Sequence, residues 1–125
     1  MSNTAGIGQF EQLVLTAVLV LGENAYGVTI HEHVSSLASP KRVALGAVYA
    51  TLDRLEDKGL ITSWLSAPTP ERGGRSKRYY RLQASGERAL RESALMAKRI
   101  CDRIEDVWGA NVWNPSRPWK PVRQP

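Results

Sequence analysis

Five cationic side chains lie within ten residues near the middle of the chain, beside a single acidic residue, Glu71. The segment that carries most of them, APTPERGGRSK, contains two prolines and two glycines, which indicates an exposed turn. Cations spaced along a glycine-containing turn can follow a row of phosphates, so the expected chemistry is electrostatic binding of a polyanion. The residues are Arg72, Arg75, Lys77, Arg78 and Arg81, with Gly74 among them, and Arg75 and Lys77 are the pair we expect to matter most.

The segments on either side of this turn alternate as β-strands do: LITSWLSA precedes it and RYYRLQ follows it. Together they predict a β-hairpin with a cationic tip. Trp64 and Tyr79 would form a cross-strand pair, which we expect to pack in the core.

Residues 44–58, directly before the hairpin, predict a helix. Its apolar residues Val48, Leu52 and Leu55 recur at spacings of four and three, and Gly59 can end it. A helix leading into a basic hairpin is the arrangement of a winged helix-turn-helix, whose last helix enters the major groove of DNA. The residues of this helix expected to contact DNA are Gly46, Ala47, Tyr49, Ala50 and Arg54.

Two of these side chains have a second interpretation. The Tyr49 hydroxyl could bond a phosphate, or its ring could be half buried in support of the preceding helix. Arg54 could contact the DNA backbone, or pair locally with Glu56 or Asp57.

The preceding segment, residues 27–37, predicts a shorter helix that opens at Tyr26. Its N-terminus could face a second phosphate, although ordinary turn chemistry explains the same residues. Pro40 predicts a loop after this helix. Lys41 and Arg42 follow in that loop, where they could hold a phosphate together with the backbone of the next helix.

Residues 85–108 predict a long helix whose apolar residues form a heptad seam. A small winged domain has little core to cover such a helix, so we expect it to pair two copies of the chain. The helix predicted over residues 7–21 is apolar around most of its surface, and we expect it to serve both the core and this interface. The predicted interface residues are Phe10, Leu13, Val14, Leu90, Ala94, Ala97, Cys101, Ile104 and Trp108.

The 125 residues therefore predict one α+β winged helix-turn-helix, with three helices and a two-stranded β wing, followed by a long C-terminal dimerisation helix. We expect a flexible arm over residues 1–8, the winged domain over 9–83, the dimerisation helix over 84–108 and a basic Pro/Trp-rich tail over 109–125. The net charge of +5 favours a polyanionic partner. A lone cysteine, no signal peptide and no apolar run long enough for a bilayer predict a cytoplasmic protein with no membrane association.

Four strings resemble the PadR family of bacterial transcriptional regulators: YGVTI, GAVYATLDRLEDKGLI, GGRSKRYYRL and ASGERAL. The resemblance spans residues 10–108, and the single C-terminal helix is similar to the short subgroup of the family. It implies a homodimeric repressor that binds double-stranded operator DNA. Some members release DNA when a small molecule enters the dimer interface, which here would be a small aromatic ligand bordered by Ala97, Cys101 and Trp108.

The strings depart from the family pattern at the start of the third helix. Ala44, Leu45, Gly46 and Ala47 stand where the family often has Ser-Pro-Gly-Thr, and Asp53 stands where a basic residue is common. Ala97 occupies the position at which some drug-binding relatives carry a tryptophan, which argues against a large aromatic drug.

An alternative function uses the same fold as a protein-interaction module, in which the wing and the tail bind an acidic protein partner. His31 and His33 lie two apart on a helix and point to different faces, so they do not form the usual ligand pair of a metal site. We identify no set of residues with catalytic spacing, and expect neither an enzyme nor a cofactor.

Overall fold

Residues 6–67 and 76–116 are described by the structure, a computed structural model. Four α-helices and two strands follow in the order α1 (Gln9–Leu21), α2 (Gly27–Ala38), α3 (Leu45–Asp57), β1 (Ile61–Leu65), β2 (Arg78–Leu82) and α4 (Ala84–Trp108). Short 3-10 turns occupy Gly22–Asn24 and Ala110–Trp113. The predicted α+β winged helix-turn-helix with a long C-terminal helix is confirmed. None of the helices in these described residues is both long and apolar enough to cross a membrane.

The apolar stripes of α1, α2 and α3 meet in one core, closed by the hairpin and by the first turns of α4. α3 follows the predicted spacing, because Val48, Leu52 and Leu55 are all fully buried. On α1 the expected burial on several sides is not present in the single chain, since Leu19 and Val20 are exposed. The buried apolar residues are Val14, Leu15, Ala17, Val18, Ala25, Ile30, Val34, Val48, Leu52, Leu55, Ile61, Tyr80 and Leu90.

β1 and β2 are antiparallel neighbours in a two-stranded sheet, with Trp64 opposite Tyr79. The hairpin is also joined to the residues before α2, because the Tyr80 N–H donates to the carbonyl of Ala25 over 2.9 Å and Tyr26 forms an isolated bridge with Tyr79. The base of the hairpin is therefore fixed against the start of α2.

Two glycines are required by the backbone around the hairpin. Gly59 ends α3 with φ +78°, a conformation that favours glycine, and the next N–H, of Leu60, donates back to the Leu55 carbonyl over 3.0 Å. Gly86, in the first turn of α4, lies so close to Leu60 that a Cβ atom there would overlap the Leu60 carbonyl oxygen. α4 can pack on this loop only because residue 86 has no side chain.

The chain divides into two compact units, residues 1–93 and 94–125. Described by itself, the second unit contains the later turns of α4 and the 3-10 turn after Gly109. In it the Trp113 indole N–H donates to Glu105 over 2.6 Å, which holds the turn against the end of the helix. Leu95, Met96, Ile100 and Val107 are exposed in the single chain.

Candidate nucleic-acid interface

The exposed face of the first turns of α3 carries short side chains. Ala44 precedes the helix in an extended conformation and provides no side-chain cap. Gly46, Ala47 and Ala50 are exposed, whereas Val48 on the opposite face is buried. Small residues let a helix backbone come close to a partner surface, but they offer few groups that could hydrogen-bond base edges.

Tyr49 lies at the junction of α3 and α2. Its hydroxyl lies against Gly27 so closely that a Cβ atom at residue 27 would overlap it. About 42% of Tyr49 remains exposed. The ring therefore packs on the first turn of α2, as one of the two interpretations of the sequence predicts, and its exposed part leaves room for a second contact.

Tyr26 precedes α2 in an extended conformation, and the Thr29 hydroxyl accepts a hydrogen bond from the Tyr26 N–H over 3.0 Å. The same hydroxyl donates to the carbonyl of Asn24 over 2.6 Å. The N-terminus of α2, with its positive helix dipole, thus adjoins the Tyr49 hydroxyl.

Cations of the hairpin are held over aromatic rings. The ammonium group of Lys77 lies 4.3 Å from the centre of the Tyr26 ring, and the guanidinium of Arg81 lies 4.8 Å from that of Trp64. Arg78 donates to the Ser63 hydroxyl over 2.9 Å. Lys77 therefore lies beside the start of α2. The predicted contacts Arg72, Gly74 and Arg75 lie outside the described residues.

The rings beneath these cations form one row. Trp64 stacks on Tyr79 with ring centres 6.0 Å apart, which confirms the predicted cross-strand pair. Tyr79 meets Tyr26 edge to face at 5.4 Å. The expectation that the pair packs in the core is wrong for Trp64, which is 38% exposed, since burial falls along β1 from Ile61 to Leu65.

A buried carboxylate on α1 holds the cations at the end of α3. Glu11 accepts from Lys58 over 2.8 Å, from Arg54 over 3.4 Å and from the backbone N–H of Gly8 over 2.9 Å. Burial by itself raises the pKa of Glu11, but the hydrogen bonds from Lys58, Gly8 and Arg54 and the charge of Lys58 together outweigh it, so the pKa lies below its usual value.

Arg54 therefore pairs with α1, so the second of its two interpretations, a local pair with Glu56 or Asp57, is wrong. Its second partner is the Thr51 hydroxyl at 3.2 Å. Sequence reasoning missed Glu11, because more than forty positions separate it from its partners and no periodic pattern connects them. The available signal was that Glu11 is the one charged residue of the mostly apolar helix α1.

The loop between α2 and α3 carries Lys41 and Arg42, and both are exposed. Within the described residues neither forms an ion pair. Nearby, an imidazole nitrogen of His31 lies 2.7 Å from the Val43 carbonyl oxygen and ties α2 to this loop. In the described part of the chain, no three acidic, cysteine or histidine side chains are grouped as metal ligands.

The residues predicted for a subunit interface have very different exposures. Val14 and Leu90 are buried in the core of one chain, whereas Phe10 and Leu13 are only partly buried. In the second unit, Ala97 and Ile104 are partly buried, and Ala94, Cys101 and Trp108 are exposed.

Comparison with known proteins identifies the family. The family model of the PadR-like transcriptional regulators matches residues 16–92. A PadR family transcription regulator from Clostridium difficile is 25% identical, with a TM-score of 0.62 over 81% of this chain and 98% of that chain. A PadR family transcriptional regulator from Eggerthella lenta is 26% identical, with a TM-score of 0.60 over 80% and 84%.

The fold also matches Bacillus subtilis PadR, solved in complex with operator DNA, at 21% identity and a TM-score of 0.59, over 70% of this chain and 47% of that chain. No curated protein sequence matches the chain. The family model covers more than half of the chain and agrees with the winged fold. The chain therefore belongs to the PadR-like family of transcriptional regulators, which are not enzymes.

Proposed function

We propose that this protein is a cytoplasmic, homodimeric repressor that binds double-stranded operator DNA in a sequence-specific manner. The observation that carries the proposal is the placement of three features around the start of α2: the Tyr49 hydroxyl, the helix N-terminus and the ammonium group of Lys77. Each is a group that binds phosphate. The operator complex of Bacillus subtilis PadR, which has the same fold, supports this proposal.

In the proposed complex α3 enters the major groove. The short side chains of Gly46, Ala47 and Ala50 let the helix approach the base edges closely. Because so few polar groups line this face, we expect much of the sequence preference to come from the shape and deformability of the DNA. The proposed phosphate contacts are Tyr26, Lys41, Arg42, Tyr49, Arg54, Lys77 and Arg78, together with Arg72, Gly74 and Arg75 of the wing.

The salt dependence of binding tests the cationic contacts. Lys77→Ala with Arg78→Ala should lower affinity for the DNA upstream of the protein's own gene. The double change should also reduce the slope of log K against log salt concentration by roughly two. Each phosphate contact that is lost means that one fewer counterion is released when the protein binds DNA. The control is Arg88→Ala with Arg91→Ala, which removes equal charge from exposed positions of α4. Equal changes of slope in the two variants would reject the assignment.

We propose that two copies pair through the later turns of α4 and the partly buried residues Phe10 and Leu13 of α1. Val14 and Leu90 are left out of this interface because the core of one chain already buries them. Ala97→Glu should give a monomer in sedimentation equilibrium, since it would bury an unpaired charge in the seam. Arg99→Glu, at an exposed position off the seam, should leave the dimer intact. A dimeric Ala97→Glu protein would rule out this interface.

A small aromatic ligand between the subunits, bordered by Ala97, Cys101 and Trp108, is the proposed signal for release from DNA. Gel shifts titrated with a panel of aromatic compounds test this proposal, and undiminished DNA binding throughout the panel would count against it.

Binding to a duplex also distinguishes the repressor from the alternative function, a module that binds an acidic protein partner. Only the repressor requires a specific duplex.

A further inference from the structure

A groove of about 680 Å³ lies between the end of α1, the hairpin and the start of α4. All the residues that line it belong to the first unit. Its size falls within the range of small-molecule sites, roughly 300–1,000 Å³. Its lining shares no residue with the ligand position predicted at Ala97, Cys101 and Trp108.

Apolar and aromatic side chains form the walls of this groove. Leu19 of α1 is 55% exposed there, and Trp64, Tyr79 and Leu82 come from the hairpin. Stacking on Tyr79 at 6.0 Å holds the Trp64 ring in place. Such walls suit an apolar ring, which would cover surface now open to water.

Carboxylates outnumber cations among the residues that line the groove. Glu23 and Glu87 are both exposed carboxylates, and neither takes part in an ion pair within the described residues. The one cation of the lining, Arg81, lies over the Trp64 ring, 4.8 Å from its centre. The groove is thus acidic on a chain whose net charge is +5.

We propose that this groove binds a small aromatic amine, whose ring packs against Leu19, Trp64 and Leu82 and whose ammonium group faces Glu23 and Glu87. An aromatic carboxylate of the same size would meet two like charges and a single cation that is already engaged by a ring. The charge of the ligand, rather than its ring, is therefore the selective feature. The inference does not depend on the proposed DNA-binding function.

Three probes with one ring and different charges test the proposal on the full-length protein: phenethylamine, phenethyl alcohol and phenylacetate. Titrations followed by ¹H–¹⁵N NMR should shift the Trp64 indole and Leu19 amide signals. The amine should bind most tightly and phenylacetate most weakly. Glu23→Gln with Glu87→Gln should weaken the amine by about 2- to 30-fold, since each exposed ion pair contributes roughly 1.4- to 5-fold. The affinity of this double variant for phenethyl alcohol should equal that of the unaltered protein.

The matched control is Glu32→Gln with Glu92→Gln, which removes two exposed carboxylates that do not line the groove. This variant should bind the amine as the unaltered protein does. Phenylacetate binding as tightly as the amine would overturn the proposal. Amine affinity unaffected by Glu23→Gln with Glu87→Gln, shifts confined to Ala97 and Cys101, or no binding of the amine at millimolar concentration would do the same.

Discussion

The ion pairs of the buried Glu11 carboxylate with Lys58 and Arg54 predict a stability difference that depends on pH. Glu11→Gln keeps the size of the side chain and an oxygen that can accept from the Gly8 N–H, but removes the charge that Lys58 and Arg54 face at 2.8 and 3.4 Å. Because the native pKa of Glu11 lies below its usual value, folding is favoured by the ionised form.

The size of the effect follows from the exposure of the partners. The Lys58 and Arg54 side chains are 44% and 53% exposed, so each pair is screened by solvent and contributes about 0.2–1 kcal/mol. Glu11→Gln should therefore lower the free energy of unfolding at pH 7 by about 1 kcal/mol, and by no more than about 2. For a domain of this size, about 1 kcal/mol corresponds to a fall in Tm of roughly 3–6 °C.

The lowered pKa of Glu11 determines how the stability difference changes with pH. The stabilising contribution of the ionised carboxylate is fully present above the usual glutamate pKa, about 4.3, and is lost as the pH falls through the pKa of Glu11 in the native protein. Urea unfolding of both proteins at pH 7 and at pH 3 measures it, with Glu32→Gln, an exposed carboxylate, as the control. The difference between the two proteins should shrink at the lower pH. An equal difference at both values, or none at pH 7, would refute the electrostatic explanation.

Three further substitutions test the packing by thermal or urea unfolding. Gly86→Ala should destabilise the fold by about 1–3 kcal/mol, because the new methyl group overlaps the Leu60 carbonyl, and an unchanged Tm would contradict that contact. In Gly46→Ala the new methyl group has no atom within 4 Å, so this change should instead stabilise α3 by up to about 1 kcal/mol. A loss of stability would mean that the methyl group does collide with other atoms. Leu52→Ala should cost about 2–5 kcal/mol, and a cost under about 1 would mean that the core collapses into the cavity.

The order and type of the elements were predictable from the sequence because each leaves a local signal. Apolar spacings of four and three marked α3 and α4, and the alternation around Trp64 and Tyr79 marked the strands. Gly59 follows the end of α3 where the sequence predicted a cap, because glycine, having no Cβ, adopts a positive φ without steric strain. The motifs that resemble the PadR family led to the correct family for the same reason.

Contacts between distant residues were not predictable, because their partners share no periodic pattern. For Arg54 the sequence left open a contact with the DNA backbone or a pair with Glu56 or Asp57, and neither interpretation included Glu11 on α1, which accepts from it. Trp64 was expected in the core, but the position of the hairpin relative to the helices leaves it partly exposed.

By itself the sequence determined the helices, the strands, the basic hairpin and the membership of a family of regulators, all of which depend on residues close together along the chain. Only the tertiary structure decided that Gly27 lies beneath the Tyr49 hydroxyl, that Lys77 rests on Tyr26, and that Glu23 and Glu87 border one groove. Such contacts follow from how helices and hairpin pack against a shared core, and packing joins residues that the chain keeps far apart.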